Sequence, residues 1–238
     1  KTHQAFVKDS WILDPDAVGK TYDEIEQYLD DENNWLEERV ELHSQIIERG
    51  YSLGVQLSDR VKEKSSDKVT TVFMVRGNIG AGKTQAIRKH PLFKPLLDKK
   101  EEPTGVVSPD NLKAEIREDL GKRGDDYVLS HFQCHDESLA IARKLETKLF
   151  SNPSLSIAFD ERFAWMDRIE KLISRASKHG RKIKILDLDV PLEVSIIRNL
   201  KRDPKGNDPC VPYGVIRGGF VDIRNTRLGL ANIVINKA

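Results

Sequence analysis

The sequence predicts an α/β protein, a parallel five-stranded sheet flanked by helices, with an N-terminal helical extension ahead of it. Two observations carry that expectation. Short runs rich in β-branched and apolar residues, at 69–75, 105–108, 155–159, 183–190 and 232–236, alternate with longer stretches of helical periodicity. The first of those runs leads into Gly77-Asn78-Ile79-Gly80-Ala81-Gly82-Lys83-Thr84, and a helical stretch begins at Gln85. Strand, G-x-x-x-x-G-K-T, helix is the context of a P-loop. The glycines let the backbone fold tightly, so successive N–H groups point at a phosphate. Lys83 is expected to reach the β- and γ-phosphates of ATP, and the Thr84 hydroxyl to ligate Mg²⁺.

A length of 238 residues suits one large α/β domain, or such a domain with an extension. Charged residues make up 32% and apolar residues 38%, the balance of a folded soluble protein. The net charge of +1 supplies no global basic field, which weighs against nucleic acid as a partner. Cys134 and Cys210 are far apart and suggest no disulfide framework, so a reducing compartment is expected. No run of 18 apolar residues exists, and no membrane partner is expected. The chain starts at Lys1 without a signal-peptide core, which reads as a fragment with targeting signals removed.

Taken in order, residues 1–65 read as the helical extension and 66–238 as the nucleotide-binding core. Thr21-Tyr22-Asp23-Glu24 is a capping box, and Ile25, Tyr28, Leu29, Leu36, Val40, Ile46 and Ile47 then recur at helical spacing. Gly50 reads as a helix stop, with a further helix over 55–64. The extension holds no catalytic motif. It packs on the core, binds a partner or covers the substrate site. After the P-loop, 91–103 is a charged connection, and 105–108 a strand ending at Pro109-Asp110. Helices are expected to about Leu120, over 125–150, over 163–178 and from Pro191 to Arg202. Residues 203–219, rich in Gly, Pro and Asp, read as a lid, and 232–236 as the last strand.

Ligands of such a sheet bind at the carboxyl ends of its strands. Transfer of a phosphoryl group to a hydroxyl needs a phosphate cradle, a metal, a carboxylate to take the proton, and cations. Asp110 follows the second strand and reads as the general base, against the competing reading of a helix N-cap. Asp160 ends an apolar strand, as in a Walker B motif, and reads as a ligand of Mg²⁺, direct or through water, with Glu161 competing. Arg162 lies beside them as a substrate contact. Arg198, Arg202 and Arg217 flank the lid and suit bidentate binding of phosphate, although a solvated surface charge fits at least one of them. His131, Cys134 and His135 share a helix face, but packing is the better reading than a zinc site, because a fourth ligand is wanting. Trp11, Trp35 and Trp165 read as packing residues.

Gly77 to Thr84, Asp110, Glu137 in the following helix, Asp160-Glu161-Arg162 and the late arginines together resemble the zeta-toxin type of P-loop kinase over about residues 69–236. That resemblance implies a kinase acting on a sugar hydroxyl, typically of UDP-N-acetylglucosamine. It makes Asp110 the base, Glu137 a substrate contact, and Arg202 and Arg217 phosphate clamps. The strand-end Glu-Gly-Thr of that family is here Asp160-Glu161-Arg162, and the spacing from P-loop to Asp110 is longer. The longer spacing and Ser108-Pro109-Asp110 resemble the AvrRxo-type effector kinases of plant-pathogenic bacteria. This second resemblance implies ATP-dependent phosphorylation of NAD at the 3′-hydroxyl of its adenosine ribose. It further implies restraint by a small cognate antitoxin-like chaperone, residence in the bacterial cytoplasm, and delivery into a host cell by type III secretion. Two other readings remain open from the residues themselves. One is a polynucleotide 5′-hydroxyl kinase. The other is a non-catalytic nucleotide-binding effector, since a P-loop speaks for binding more surely than for turnover.

Overall fold

The computed structural model describes residues 34–64, 69–122, 134–202 and 210–237. Its elements run α1 (Glu37–Lys64), β1 (Thr71–Gly77), α2 (Lys83–Lys89), a 3-10 helix (Pro91–Leu96), β2 (Val106–Val107), α3 (Pro109–Lys122), α4 (His135–Ser151), β3 (Ile157–Glu161), α5 (Met166–Lys178), β4 (Lys182–Leu188), α6 (Leu192–Leu200) and α7 (Tyr213–Lys237). The sheet order is β2-β3-β1-β4, with every pairing parallel. Each residue of β1 is buried, as a strand covered on both faces requires. Alternation along β1 sends Val72 and Met74 into one apolar cluster and Phe73 and Val75 into the other. The first cluster takes side chains from α1, α3, α4, α5 and α7, and the second from α1, α2 and the 3-10 helix.

Among the described residues the sheet has four strands where the sequence suggests five. Residues 232–236, expected as the last strand, continue α7 instead. Their β-branched composition favours a strand by about 1 kcal/mol per residue at most. The helix they extend is already anchored by the buried Ile216, Ile223 and Leu230, and that anchoring prevails.

Gly50 does not end a helix. α1 runs on through Gly50 and Gly54, and a Cβ on either would stand 2.6 Å from a leucine methyl, of Leu145 or Leu149 on α4. These glycines bring two helices close together, and the separate helix expected over 55–64 is the second half of α1. The expected lid is also partly helical, since 213–219 form the first turns of α7, while 203–209 lie outside the described residues. The capping box at Thr21, Trp11 and His131 lie outside them too. None of the described helices is long and apolar enough to cross a membrane.

Candidate functional site

The glycine-rich loop leaves β1 at Gly77 and enters α2 at Lys83. Gly80 (φ 73°) and Gly82 (φ 86°) are left-handed, a conformation that costs other residues about 1–2 kcal/mol. The turn closes through Ala81 N–H donating to the Asn78 carbonyl at 3.0 Å. Lys83 folds back over the loop, its Nζ 3.4 Å from the Gly77 carbonyl and 3.6 Å from Asp160 Oδ1. Thr84 is exposed on the first turn of α2. Arg198, on α6, donates Nη1 to the carbonyls of Gly80 at 3.0 Å and Ala81 at 3.1 Å, so its guanidinium supports the loop backbone.

β3 lies next to β1, which sets Asp160 opposite Val75 and Glu161 opposite Arg76 at the loop's edge. The two carboxylates part there. Glu161 takes two nitrogens of Arg168, Nη2 at 2.7 Å and Nε at 3.2 Å, and the third, Nη1, is paired with Glu146 at 2.7 Å. Asp160 Oδ1 is buried without a hydrogen-bond partner, and burial pushes its carboxyl above the usual range despite Lys83. A carboxylate oxygen held out of water and the hydroxyl of the P-loop threonine are hard-oxygen donors of the kind that Mg²⁺ selects. Thr84 and Asp160 fit that ion, and Glu161 is already engaged.

Asp110 enters from the far edge of the sheet, immediately after β2 and Ser108. Leu112 N–H donates to the Ser108 carbonyl at 3.1 Å, so Ser108 is the cap and Asp110 lies within the first turn of α3. The N-cap reading of Asp110 therefore falls away. Lys113, buried one turn on, donates to Asp110 Oδ1 at 2.9 Å. The Asp110 charge opposes ionisation of Asp160 and favours the charged form of Arg162. Burial pulls Arg162 below its ordinary value, and burial followed by Lys113 does the same to His135 at the start of α4. Asp110, Asp160, Lys83 and His135, from four elements, and Arg162, just after β3, thus share one electrostatic neighbourhood.

The remaining candidates are more scattered. Glu137 is fully buried in α4, with one oxygen on Arg39 and the other 2.6 Å from His43 Nε2, both from α1. It ties α1 to α4 as the structure stands. Arg202 follows α6 and is half-buried, and Arg217 is exposed in the second turn of α7. Cys134 is buried, and burial pushes its thiol up to about 12, where it makes a poor metal ligand. Among the described residues no group of three His, Cys, Asp or Glu side chains is placed to hold a metal.

One residue of the site escapes sequence reasoning, and a residue of the motif makes a contact that the motif does not announce. Arg76, the last side chain before the loop, is fully buried. It donates to the carbonyls of Phe163 at 3.0 Å and Ile223 at 2.7 Å, to Asp187 at 3.0 Å and to the Thr226 hydroxyl. Its signal was visible as an arginine at the end of an otherwise apolar strand. Asn78, inside the motif, donates Nδ2 to the Ile216 carbonyl at 2.9 Å and so fastens the loop to α7.

A parallel sheet with a glycine-rich phosphate loop after its central strand, and an acidic strand end beside that loop, defines a P-loop nucleotide-binding protein. The chain belongs to the family described as an AAA domain, whose family model matches residues 72–217. Among solved structures it is similar to a chain of the AvrRxo1-ORF1:AvrRxo1-ORF2 complex with sulphate ions, at 31% identity and a TM-score of 0.77. The complex with ATP matches at 31% identity and a TM-score of 0.76, and the native complex at 30% and 0.76. These alignments cover 87%, 87% and 85% of this chain but 62%, 62% and 61% of the other. The chain therefore spans less than two thirds of the length of those proteins. No protein with a curated description matches. The likeness to AvrRxo-type proteins read from motif order and spacing is borne out by these structures.

Proposed function

We propose that this chain is the catalytic part of an ATP-dependent kinase acting on a ribose hydroxyl, with the 3′-hydroxyl of the adenosine ribose of NAD as acceptor, and that it serves as a toxin-like virulence effector. The observation that carries the reading is Asp110. It follows edge strand β2, which runs parallel to β3 and β1, so it lies at the same carboxyl end of the sheet as the P-loop and Asp160, with Oδ1 held by Lys113 at 2.9 Å. A carboxylate at that strand end suits a general base for the acceptor hydroxyl.

In the proposed step Asp110 takes the proton of the acceptor hydroxyl. The freed oxygen attacks the γ-phosphorus of ATP, its bond to the bridging oxygen breaks, and ADP leaves. The loop N–H groups and Lys83 hold the charge that develops, and Arg162 faces the acceptor side. Thr84 and Asp160 would hold Mg²⁺, which would supply positive charge against the phosphates in the transfer. Arg202 and Arg217 are proposed as clamps closing over the phosphates. A solved relative carries ATP, which supports the choice of donor. The relatives were solved in complex with AvrRxo1-ORF2, which supports a cognate partner protein for this chain as well.

The test is mass spectrometry of NAD after incubation with purified protein, ATP and Mg²⁺. A phosphorylated product is expected, and Asp110→Asn should slow its formation by about 10²–10⁴-fold with ATP affinity kept. Unchanged NAD sinks the acceptor assignment. Phosphorylation of UDP-N-acetylglucosamine in a parallel reaction would replace it with the zeta-toxin acceptor. Phosphorylation of a labelled oligonucleotide would instead favour the polynucleotide kinase reading.

A further inference from the structure

Gly218 and Gly219 are neighbours in the second turn of α7, and their surroundings are opposite. Gly218 is exposed, and a Cβ there would meet nothing within 4 Å among the described residues. Gly219 is buried, and a Cβ there would stand 2.8 Å from Asn78 Oδ1 and 3.0 Å from Arg162 Nη1. The same turn receives both side chains by its backbone. Asn78 Nδ2 donates to the Ile216 carbonyl at 2.9 Å, and Arg162 Nη1 reaches the Val215 carbonyl at 3.5 Å. Neither glycine has a left-handed backbone, so conformation does not explain the missing side chain at Gly219. Space does.

We propose that Gly219 is a positioning residue of the phosphotransfer site. Its bare Cα lets the P-loop, through Asn78, and the end of β3, through Arg162, converge on one turn of α7. The convergence fixes where the Arg162 guanidinium stands relative to the phosphates. The inference rests on the phosphotransfer reading for turnover, and on the P-loop alone for nucleotide affinity. The atoms a Cβ would displace are side-chain ends, so alanine at this position rearranges the site and leaves the fold standing. Alanine favours a helix over glycine at both positions. The pair therefore separates a gain in helix stability, common to both, from a loss in the site confined to one.

The experiment compares Gly218→Ala, Gly219→Ala, Arg162→Ala and the Gly219→Ala/Arg162→Ala double variant. Turnover, ATP affinity and thermal midpoint are read for each. Gly218→Ala should stay within about twofold of the parent in turnover and affinity. Gly219→Ala should lose roughly tenfold or more in kcat, the scale of a small misplacement of a reacting partner, with its thermal midpoint kept. The double variant should be slower than Arg162→Ala alone by less than the loss that Gly219→Ala causes in the parent, because a displaced Arg162 cannot be lost twice while the displaced Asn78 remains. Equal turnover and ATP affinity in the two alanine variants overturn the proposal, as do losses that multiply in the double variant. If the parent protein transfers phosphate to no acceptor, the phosphotransfer reading falls. ATP affinity then still decides the proposal: weakened in Gly219→Ala but not Gly218→Ala upholds it, and unchanged in both overturns it.

Discussion

Two carboxylates stand side by side at the end of β3, and their partners give them different work. Glu161 is held by Arg168, while Asp160 keeps a buried oxygen without a hydrogen bond beside Lys83. Asp160→Asn is therefore expected to weaken Mg²⁺-dependent activity by at least the ~10–100-fold that loss of a supporting metal-site group costs. Glu161→Gln should leave the Mg²⁺ dependence near the parent. A titration of activity against Mg²⁺ for the two variants decides between them, and a steeper loss for Glu161→Gln would exchange their roles. At this scale the sequence was readable where function is contiguous. Gly77 to Thr84 announces itself because the chemistry lies within eight neighbouring residues. Asp110 and Asp160 were readable because a strand end is a position that a periodic pattern locates. Asn78 was read as part of the loop, but its grip on Ile216 spans 138 residues of sequence, and nothing local marks it.

At the scale of elements, α7 is held against the sheet by charge as much as by apolar contact. Arg76 bonds Asp187, and Asp187 also takes Arg227 at 2.7 Å. The network makes an unequal prediction for its two members. Arg76→Met leaves Asp187 paired with Arg227 and orphans mainly two carbonyls, for a loss of about 1–3 kcal/mol. Asp187→Ala leaves the fully buried Arg76 without its carboxylate, for a loss of about 3–5 kcal/mol. Urea unfolding of the two variants tests the order, and a larger loss for Arg76→Met would refute it. A similar contrast concerns two left-handed glycines. Gly105→Ala combines φ 77° with a Cβ 2.4 Å from the Leu53 carbonyl oxygen, whereas Gly180→Ala carries φ 63° with nothing described within 4 Å. The second should cost about 1–2 kcal/mol and the first clearly more, since backbone must move. The strands and most helices were legible from periodicity. The reading of 232–236 failed because β-branched residues report what a segment prefers alone, and α7 is decided by what it packs on.

For the molecule as a whole, the question is whether the helical segment before the P-loop is an attachment or part of the fold. Its periodicity was plain in the sequence, but what it covers was not, because amphipathicity names a buried face without naming the partner. In the structure α1 serves both faces of the sheet, with Leu42 and Ile46 in one cluster and Leu57 and Val61 in the other. Each is buried, and each contributes about 1.5–3 kcal/mol by leaving water. Together that is about 6–12 kcal/mol, the size of the whole stability of a typical domain. Removal of α1 would also strip Arg39 and His43 from the fully buried Glu137, leaving a carboxylate with neither of its partners. A chain beginning at residue 66 is therefore expected to lack a cooperative unfolding transition, read by circular dichroism against urea. Glu137→Gln in the same shortened chain should recover part of the loss, since it removes the stranded charge but not the exposed core. A shortened chain that unfolds cooperatively at the parent's midpoint would make α1 an attachment after all. Its place beside α3 and α4 would then have to be explained by what it covers and not by what it holds together.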